Sequence, residues 1–503
     1  PEVDGIDFYE SLEGMRVTVD NPIAISTTNR FNETWLLADE GANVTGGGTV
    51  DGGLTDRSGL IINADQDGYG DLNPERIQIQ YDRDLLPDGF DAPDITQGDQ
   101  LTNVTGVVGY GFGNFEVLVT EAFEIEVAST NVAEVTDLVT RDVNFPGKGK
   151  GIVKGPDHPG KGKGVDKFSD DFPGGPKDGF DRDGEGKLSV ATYNVLNLTS
   201  NFDSGDDDDA DADQLMQLAE QIVNNLGTPD ILALQEIQDN SGVNFNAEDG
   251  VLNADETLQA LVDAIVALGG PEYEFASAIV DEEGETGGVP GGNIRNAFLW
   301  NPDRVDANEI VTLESEELAA YGITNPEAFN DAEARDPLLG VFTFNGEQIT
   351  LINNHWESRS GSDPIFGAVQ PFEQVGEEAR AAQAQAINEV VDALLQEDPD
   401  AKISVLGDLN TFEFTDELDI VLEGKGADQV LTNLVGFADE GDAFTFNFQG
   451  NMQNLDHILV TDSLLEGVEV DYVHVNTDVA NPASDHDPIV ALFDFNADTF
   501  DFV

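Results

Sequence analysis

From residue 188 onward, short apolar runs alternate with longer segments in which apolar residues recur every three to four positions. The short runs are typical of buried strands and the longer segments of amphipathic helices. The predicted strands are LSVATYNVL, DILALQEI, NAFLWN, EQITLINNHW, AKISVLGDL, LDHILVT, VEVDYVHV and DPIVALFDF. The predicted helices are DQLMQLAEQIVNNL, DETLQALVDAIVAL, EEARAAQAQAINEVVDALLQ and a stretch near residues 311–335. This alternation predicts sheets covered by helices, a kind of fold in which sites form where strands end.

Residues 1–144 have a β-rich pattern, with alternating or apolar runs separated by Gly and Asp turns, which predicts a small barrel or sandwich. Its predicted strands lie in MRVTVDNPIAI, GLIINAD, RIQIQYD and TGVVGYGFGNFEVLV. Residues 145–187 are rich in Gly, Lys, Asp and Pro, which indicates a linker. The chain is therefore expected to divide into a β-rich domain at 1–144, the linker, a second domain at 188–497 and a tail at 498–503.

Polar side chains collect at the ends of six of the predicted apolar strands. Burying such groups without partners would cost about 2–7 kcal/mol each, so we expect them to satisfy one another and a metal ion. Taken singly, each has an ordinary alternative: Asp408 as a turn residue, Glu236 as a helix-capping carboxylate, His355 as a packed strand histidine. The residues at these ends are Asn194, Glu236, His355, Asp408, Asn410, Asp456, Asp485 and His486.

The charge balance narrows the setting in which the protein works. The 503 residues include 100 Asp and Glu against 22 Lys and Arg, a formal charge of −78, which repels itself in dilute buffer. At molar salt the Debye length falls to about 3 Å, so surface carboxylates no longer repel one another at a distance. Lysine is also scarce outside residues 148–187. The composition indicates a halophilic protein rather than an acidic disordered chain, because strand and helix periods recur throughout.

Several absences bear on chemistry and location. The chain has no cysteine, which excludes disulfides, thiolate metal sites and cysteine nucleophiles. No apolar run approaches 18 residues, so no membrane span is expected. The sequence starts without a basic and apolar leader, so we expect a cytoplasmic protein or, as we favour, an extracellular one whose signal peptide has been removed. Sequons at Asn32, Asn43, Asn103 and Asn197 would permit N-glycosylation.

Two segments have further candidate roles. The stretch NADQDGYGDLN at 63–73 spaces Asp65, Asp67 and Asp71 around a glycine, a pattern that can wrap a structural Ca²⁺ ion with side-chain oxygens. An acidic turn in an acidic protein is the alternative. The lysines of the linker could contact nucleic-acid phosphate or the protein's own acidic surface, and a solvated tether is the alternative there.

The stretches GDLN, SDHDPI and LQEI occur in an order that resembles the endonuclease/exonuclease/phosphatase superfamily, over about residues 188–495. The resemblance implies an α+β, DNase I-like four-layer α/β sandwich, in which two packed mixed β-sheets are flanked by helices. The stretches FYESLEGMRVTV and GDQLTNVTGVVGYGFGNFEV look like the small all-β OB-like domain that precedes this domain in secreted multidomain nucleases.

The resemblance also implies roles for the strand-end residues. Glu236 would be the principal ligand of a catalytic Mg²⁺ or Mn²⁺ ion, with Asn194 and Asp485 beside it, since such cations take oxygen ligands. His486 and Asp456 would form an oriented imidazole–carboxylate pair.

The remaining strand-end residues would handle the substrate. Asp408 and Asn410 would position the attacking water and hydrogen-bond the phosphate. His355 would bind the scissile phosphate or protonate the leaving oxygen. Arg295 and Arg359 are candidate phosphate contacts, with surface ion pairing as the alternative.

The implied function is that of a secreted, halophilic, divalent-metal-dependent nuclease that hydrolyses extracellular DNA, with RNA as a further substrate, by in-line attack of water. Leu196 stands where the abasic-site repair branch has Asp, which argues against that specialisation. A phosphatase or phospholipase-type phosphodiesterase of the same fold is the first alternative, because the constellation handles phosphate and says little about what is attached to it. A non-catalytic extracellular matrix or DNA-binding protein is the second. No obligate protein partner is expected.

Overall fold

The computed structural model describes most of the chain. The described residues are 5–42, 44, 54–62, 73–81, 85–136, 186–201, 212–243, 250–289, 291–330, 334–364, 373–423, 429–439 and 441–495. The candidate calcium residues Asp65, Asp67 and Asp71 lie outside them, as does the predicted linker apart from its last two residues. The calcium site and the linker therefore stay predictions, and so do the domain boundaries.

The described residues form six α-helices and twenty-two strands, numbered here in chain order. The helices are α1 (Gly5–Leu12), α2 (Ala212–Glu220), α3 (Asp255–Ala267), α4 (Ser315–Ala320), α5 (Glu377–Glu397) and α6 (Asp416–Leu422). The strands up to residue 127 are β1 (Arg16–Val19), β2 (Ile23–Ala24), β3 (Glu33–Leu37), β4 (Ile77–Gln80), β5 (Gln100–Leu101), β6 (Val104–Gly111), β7 (Asn114–Val119) and β8 (Ile125–Val127). The later strands are β9 (Lys187–Leu198), β10 (Ile231–Ile237), β11 (Glu274–Ser277), β12 (Arg295–Trp300), β13 (Asp306–Thr312), β14 (Arg335–Phe344), β15 (Glu347–His355), β16 (Ile403–Asp408), β17 (Thr432–Asn433), β18 (Phe446–Phe448), β19 (Asn451–Gln453), β20 (Asp456–Val460), β21 (Glu469–Tyr472) and β22 (Ile489–Asp494). No described helix has both the length and the apolarity that a bilayer crossing needs.

Two six-stranded mixed sheets make up the part of the chain that follows residue 186. Their strand orders are β11-β12-β10-β9-β22-β21 and β13-β14-β15-β16-β20-β17. Each sheet has one parallel pair, β9 with β10 and β15 with β16, and antiparallel neighbours on both sides of it. Both strands of a parallel pair end at the same edge of their sheet, which is where α/β folds place their ligands.

Three apolar cores hold these sheets and helices in four layers. The two sheets pack face to face around a core in which the rings of Phe298 and Phe342 meet edge to face, 5.4 Å apart. Helices α2 and α3 cover the outer face of the first sheet and bury Leu218 and Leu261. Helices α5 and α6 cover the second sheet, with Val390 in that core. The predicted α+β sandwich of two mixed sheets flanked by helices is confirmed.

An eight-stranded mixed sheet of order β1-β6-β7-β4-β3-β2-β5-β8 lies between residues 16 and 127. Its own core includes Leu36, Ile79, Val104 and Val119. The β-rich character predicted for this region is confirmed. An OB-fold has five strands, and the assignment of this sheet as OB-like stays a prediction.

A hairpin in the later part of the chain contacts the N-terminal region that contains this eight-stranded sheet. The hairpin is formed by β18 and β19 and is called here the junction hairpin, residues 446–453. Met452 donates its main-chain N–H to Leu60 O at 2.8 Å and accepts from the N–H of Ile62 at 3.0 Å. Asn73 Nδ2 donates to Asn451 Oδ1 at 2.7 Å, and both side chains are buried. Leu60, Ile62 and Asn73, which lie between β3 and β4, therefore fix the position of the junction hairpin.

Two secondary-structure predictions were wrong. Residues 311–335 have a helical composition, but the α-helix there is confined to α4, and β13 and β14 pair with each other on either side of it. The pairing of these two strands outweighs the local preference. Of the stretch GLIINAD the structure describes residues 59–62, and these form a β-bridge from Ile61 to Met452 rather than a strand.

His474 holds the loop before β22 through buried ion pairs. Its Nδ1 donates to Asp487 Oδ2 at 2.9 Å and its Nε2 to Asp442 Oδ1 at 3.2 Å, and its ring stacks on Phe444 at 3.8 Å. Burial opposes the charged form, but Asp442 and Asp487 together raise the pKa of His474 to about 10.

The raised pKa predicts a loss of stability in alkaline solution. The ordinary pKa of histidine is about 6.5 in the unfolded chain. The contribution of His474 is therefore complete below pH 6.5 and declines as the pH rises toward about 10. We expect the urea midpoint at constant salt to fall between about pH 6 and about pH 9. His474→Gln should lower the midpoint at the acidic end and remove most of this fall. An equally steep fall in the variant would contradict the assignment.

Candidate active site

The predicted strand-end residues meet at one edge of the packed sheets. In the second sheet, His355 lies beside Asp408, and Asp408 beside Asp456, on three neighbouring strands. In the first sheet, Asn194 on β9 and Glu236 on β10 occupy the ends of the parallel pair. Asn194 joins the two edges, because its Nδ2 donates to Glu236 Oε1 at 3.0 Å and to Asp408 Oδ2 at 3.1 Å.

Asp408 lies at the centre of the cluster. Its Oδ2 is 3.4 Å from His355 Nε2 and 3.8 Å from His486 Nε2. Glu236 Oε1 is 3.8 Å from the same His355 nitrogen. Two groups of three residues, one of Glu236, His355 and Asp408 and one of Asp408, Asp456 and His486, each bring possible ligand atoms within 4.8 Å of one another. The structure thus brings these residues together, while their catalytic roles stay predictions.

His486 is held in a defined orientation. Its Nδ1 donates to Asp456 Oδ2 at 2.7 Å. Its main-chain N–H donates to Ser484 Oγ at 3.1 Å, and that hydroxyl donates to Asn194 O at 2.7 Å. The ring of Phe446 lies 4.9 Å from the imidazole. The sequence predicted the His486–Asp456 pair, whereas Ser484 and Phe446 are recognised only from these contacts.

Glu236 reaches the cluster through an irregularity in β10. The strand's register with β9 shifts between Gln235 and Ile237, and Glu236 itself has a φ of 64°. Residues other than glycine rarely adopt this left-handed backbone conformation, and backbone strain of this kind is concentrated at functional sites. The carboxylate is held there because Oε2 accepts from the N–H of Asn197 at 3.0 Å.

The GDLN stretch is both a turn and part of the site. Gly407 has a φ of 128°, and a Cβ there would come 2.0 Å from Asn354 O, so only glycine permits this close approach to β15. Asn410, with a φ of 49°, donates its N–H to Asp408 Oδ1 at 2.9 Å and its Nδ2 to Trp356 O at 3.2 Å. The turn therefore fixes the Asp408 carboxylate.

The cluster sets three different protonation states near neutral pH. Burial raises the pKa of the Asp408 carboxyl to about 7, although His486 opposes this shift. Burial alone would lower the pKa of His486, but Asp456 and Asp408 raise it well above its usual value. Burial lowers the pKa of His355 well below its usual value, and Arg335 adds to this shift. His486 is therefore cationic, His355 neutral, and Asp408 titrates near neutral pH.

The donor set fits a hard divalent cation. Glu236, Asp408 and Asp485 bring carboxylates to one cleft. Asp456 Oδ1 and His355 Nδ1 are buried without a hydrogen-bond partner among the described residues. Such atoms are costly to leave unsatisfied, so they point to a further ligand in the cluster. Oxygen ligands in this number suit Mg²⁺ or Mn²⁺.

Asn194 has a different orientation from that of a direct ligand. Its Nδ2 faces the Glu236 and Asp408 carboxylates, and its Oδ1 accepts from the N–H of Leu196 at 3.1 Å. Direct coordination by Asn194 would require the amide to turn over. In the arrangement described, Asn194 instead orients the two carboxylates.

The cluster lines a cleft of about 560 Å³ that also contains Arg30, Arg335 and Arg359. Arg335 stands opposite His355 in the pairing of β14 with β15. Arg335 is not among the site residues predicted from the sequence, because residues 311–335 have a helical pattern and no strand was predicted there. Arg359, which was predicted, donates to Asn410 O at 3.3 Å. The arginines give the cleft cationic groups in a chain that is otherwise strongly acidic.

Arg295 is not brought together with the cluster, and its predicted contact with phosphate stays a prediction. Its side chain is buried, and the guanidinium donates to main-chain oxygens of Asn293 and Leu252. It is not among the described residues that line the cleft. The family resemblance suggested Arg295 as a phosphate contact, but its guanidinium is bonded to the loops that contain Leu252 and Asn293.

Comparison with known proteins adds an independent observation. Residues 303–484 match the Endonuclease/Exonuclease/phosphatase family. This stretch contains His355, Asp408, Asn410 and Asp456. Residues 1–131 match a domain of unknown function (DUF8508). No curated protein matches the sequence.

Three solved structures are similar to part of this chain. An endonuclease/exonuclease/phosphatase family protein from Bacteroides thetaiotaomicron is 17% identical, with 61% of this chain and 98% of that chain covered and a TM-score of 0.41. The mannosyl-6-phosphatase Bt3783 from the same organism is 16% identical, with coverage of 60% and 98% and a TM-score of 0.39. D. rerio TDP2 complexed with a single-strand DNA product is 18% identical, with coverage of 61% and 99% and a TM-score of 0.37.

Proposed function

We propose that this protein is a divalent-metal-dependent phosphodiesterase that hydrolyses nucleic acid, with DNA as its main substrate and RNA as a further one. The observation that carries the proposal is the buried cluster of carboxylates and imidazoles around Asp408, in a cleft that also contains three arginines. Hydrolysis of phosphoester bonds is the activity of the superfamily whose model matches residues 303–484.

Glu236 and Asp485 are the residues that would hold the cation, with Asn194 orienting the Glu236 carboxylate. A bound Mg²⁺ or Mn²⁺ ion would neutralise a phosphate oxygen and stabilise the charge that grows in the transition state. The protein's own groups supply the rest of the chemistry.

Asp408 and the two histidines divide the proton transfer and charge stabilisation. Asp408, with a pKa of about 7, is suited to accept a proton from the attacking water. The His486 cation, oriented by Asp456, stabilises negative charge on the phosphoryl oxygens. His355 is neutral and can donate a hydrogen bond from Nε2 to the phosphate or to the leaving oxygen.

A chain of charge −78 is an unusual binder of a polyanion. In concentrated salt, however, repulsion is screened within about 3 Å, and the usual attraction from counterion release is also weak. Local groups then decide binding, and Arg30, Arg335 and Arg359 lie in the cleft. We therefore propose a halophilic, extracellular nuclease, in which the N-terminal sheet is the OB-like domain.

A substrate panel with metal add-back tests this proposal. Plasmid DNA, a single-stranded oligonucleotide and RNA should be cleaved in about 1–4 M salt with Mg²⁺ or Mn²⁺. Chelation should abolish cleavage and metal add-back should restore it. Hydrolysis of a sugar phosphate or a phospholipid, with all nucleic acids left intact, would overturn the proposal in favour of the phosphatase or phospholipase alternative. Binding of DNA without hydrolysis of any substrate would favour the non-catalytic alternative.

A further inference from the structure

One side of the cleft is aromatic and apolar. We call it the aromatic wall, and it consists of Ile62, Phe412, Phe446, Phe448 and Leu455. Ile62, Phe412 and Leu455 are buried in one apolar cluster. The rings of Phe446 and Phe448 are nearly parallel, at 15° and 6.4 Å, and Phe448 is 46% exposed. None of the hydrolytic roles proposed above uses these side chains.

The aromatic wall is continuous with the reacting cluster. Phe446 lies 4.9 Å from the imidazole of His486. The guanidinium of Arg359 lies 4.2 Å from the centre of the Phe412 ring. A group that rests on the wall is therefore next to a phosphate held at Asp408 and His486. The wall offers a flat apolar surface beside an anion site, which is the chemistry of a nucleotide with its base and its phosphate.

The N-terminal domain builds part of this wall. It contributes Ile62 directly and holds the junction hairpin, which carries Phe446 and Phe448. Asn447 Nδ2 in that hairpin donates to Gln97 Oε1 at 3.0 Å, in addition to the main-chain bonds between Met452 and residues 60 and 62. The same domain places Arg30 in the cleft.

We propose that the N-terminal domain completes a nucleobase subsite, in which the base next to the scissile phosphate stacks on Phe448 and Phe446 and Arg30 contacts that phosphate. This inference rests on the proposed function and names its substrate more closely. Bases of single strands and frayed ends are free to stack on the wall, whereas bases within a duplex must first leave their own stack. Stacking also keeps its strength in concentrated salt, where contacts to phosphate weaken.

Binding by the full chain tests the subsite directly. Deoxyadenosine monophosphate and 2-deoxyribose 5-phosphate, neither of which contains a phosphodiester bond, are titrated at about 2 M salt with Mg²⁺ present. The wild-type protein should bind the nucleotide about tenfold more tightly, because only the nucleotide has a base to stack. Phe448→Ala should remove most of this preference and leave the affinity for the sugar phosphate unchanged. Arg30→Gln should weaken both ligands by a similar factor, because each carries the phosphate.

Matched controls come from the same chain. Phe437 is 47% exposed and does not line the cleft among its described residues, so Phe437→Ala should leave both affinities unchanged. Arg16 is exposed in the N-terminal sheet and is paired with Glu121, so Arg16→Gln should also have no effect.

Three results would overturn the subsite: equal wild-type affinity for the two ligands, equal losses for both ligands in Phe448→Ala, or the same loss in Phe437→Ala. The outcome is separable from that of the nuclease proposal. Cleavage of DNA without any preference for the base would reject the subsite alone. A preference for the base that depends on Phe448, in a protein that cleaves no nucleic acid, would support the subsite and reject the nuclease.

Discussion

Replacing Glu236 by Gln is expected to lower kcat/KM for DNA cleavage by about 10³-fold or more. The substitution keeps the shape of the side chain and removes the charge with which Glu236 would hold a cation. Stabilisation of transition-state charge by a metal ion is worth several kcal/mol, and about 4 kcal/mol corresponds to 10³-fold. Steady-state cleavage of a labelled oligonucleotide with saturating Mg²⁺ or Mn²⁺ measures the effect.

The control separates loss of catalysis from loss of folding. Glu274→Gln removes a charge of the same kind at an exposed position of edge strand β11, and it should leave activity unchanged. The circular dichroism spectrum and urea midpoint of Glu236→Gln should match those of the wild-type protein. A Glu236→Gln variant that folds normally and retains more than about a tenth of the activity would show that the Glu236 carboxylate has no part in the mechanism.

Replacing Asp456 by Asn is expected to lower kcat by about 10²–10⁴-fold, with a much smaller change in KM. Asp456 orients His486 through the 2.7 Å bond to Nδ1 and raises the pKa of that imidazole. An Asn amide cannot replace the negative charge and can present an N–H to the ring nitrogen, which favours the wrong tautomer. The imidazole then loses its orientation and the largest of the carboxylate contributions that raise its pKa.

The split between kcat and KM distinguishes this positioning role from a structural one. Asp462→Asn, at an exposed site in the turn after β20, is the matched control and should behave as wild type. A loss of kcat that is accompanied by a lower urea midpoint and is recovered at lower temperature would show that Asp456 serves only the fold.

The strand-end residues could be predicted because each is a local signal. An apolar run identifies a buried strand, and the polar residue that directly follows the run marks the end of that strand, as in LQEI and GDLN. The order of the strands and helices then indicated the layered fold. Arg335 was not predictable in this way, since it is the first residue of β14, a strand that follows a helical composition and is defined by its pairing with β13 and β15.

Contacts between distant parts of the chain were also beyond the sequence pattern. Asn73 and Asn451 are 378 positions apart, yet their side chains share a buried hydrogen bond. No periodic pattern in the sequence indicates that the N-terminal region binds the junction hairpin, or that Arg30 and Ile62 line the cleft. Similarly, Arg295 resembles a phosphate contact in sequence, and only the loops packed over it show that it is buried.

The sequence by itself determined the layered α/β character of the later part of the chain, its acidic composition and the identity of the polar groups at the strand ends. These depend on residue type and spacing over a few positions, which act within one strand or helix. Only the tertiary structure decided that Asn194 turns its NH₂ group toward Glu236 and Asp408, and that one wall of the cleft is aromatic. These features arise from packing between segments hundreds of residues apart, and their geometry is fixed only when the whole chain has folded.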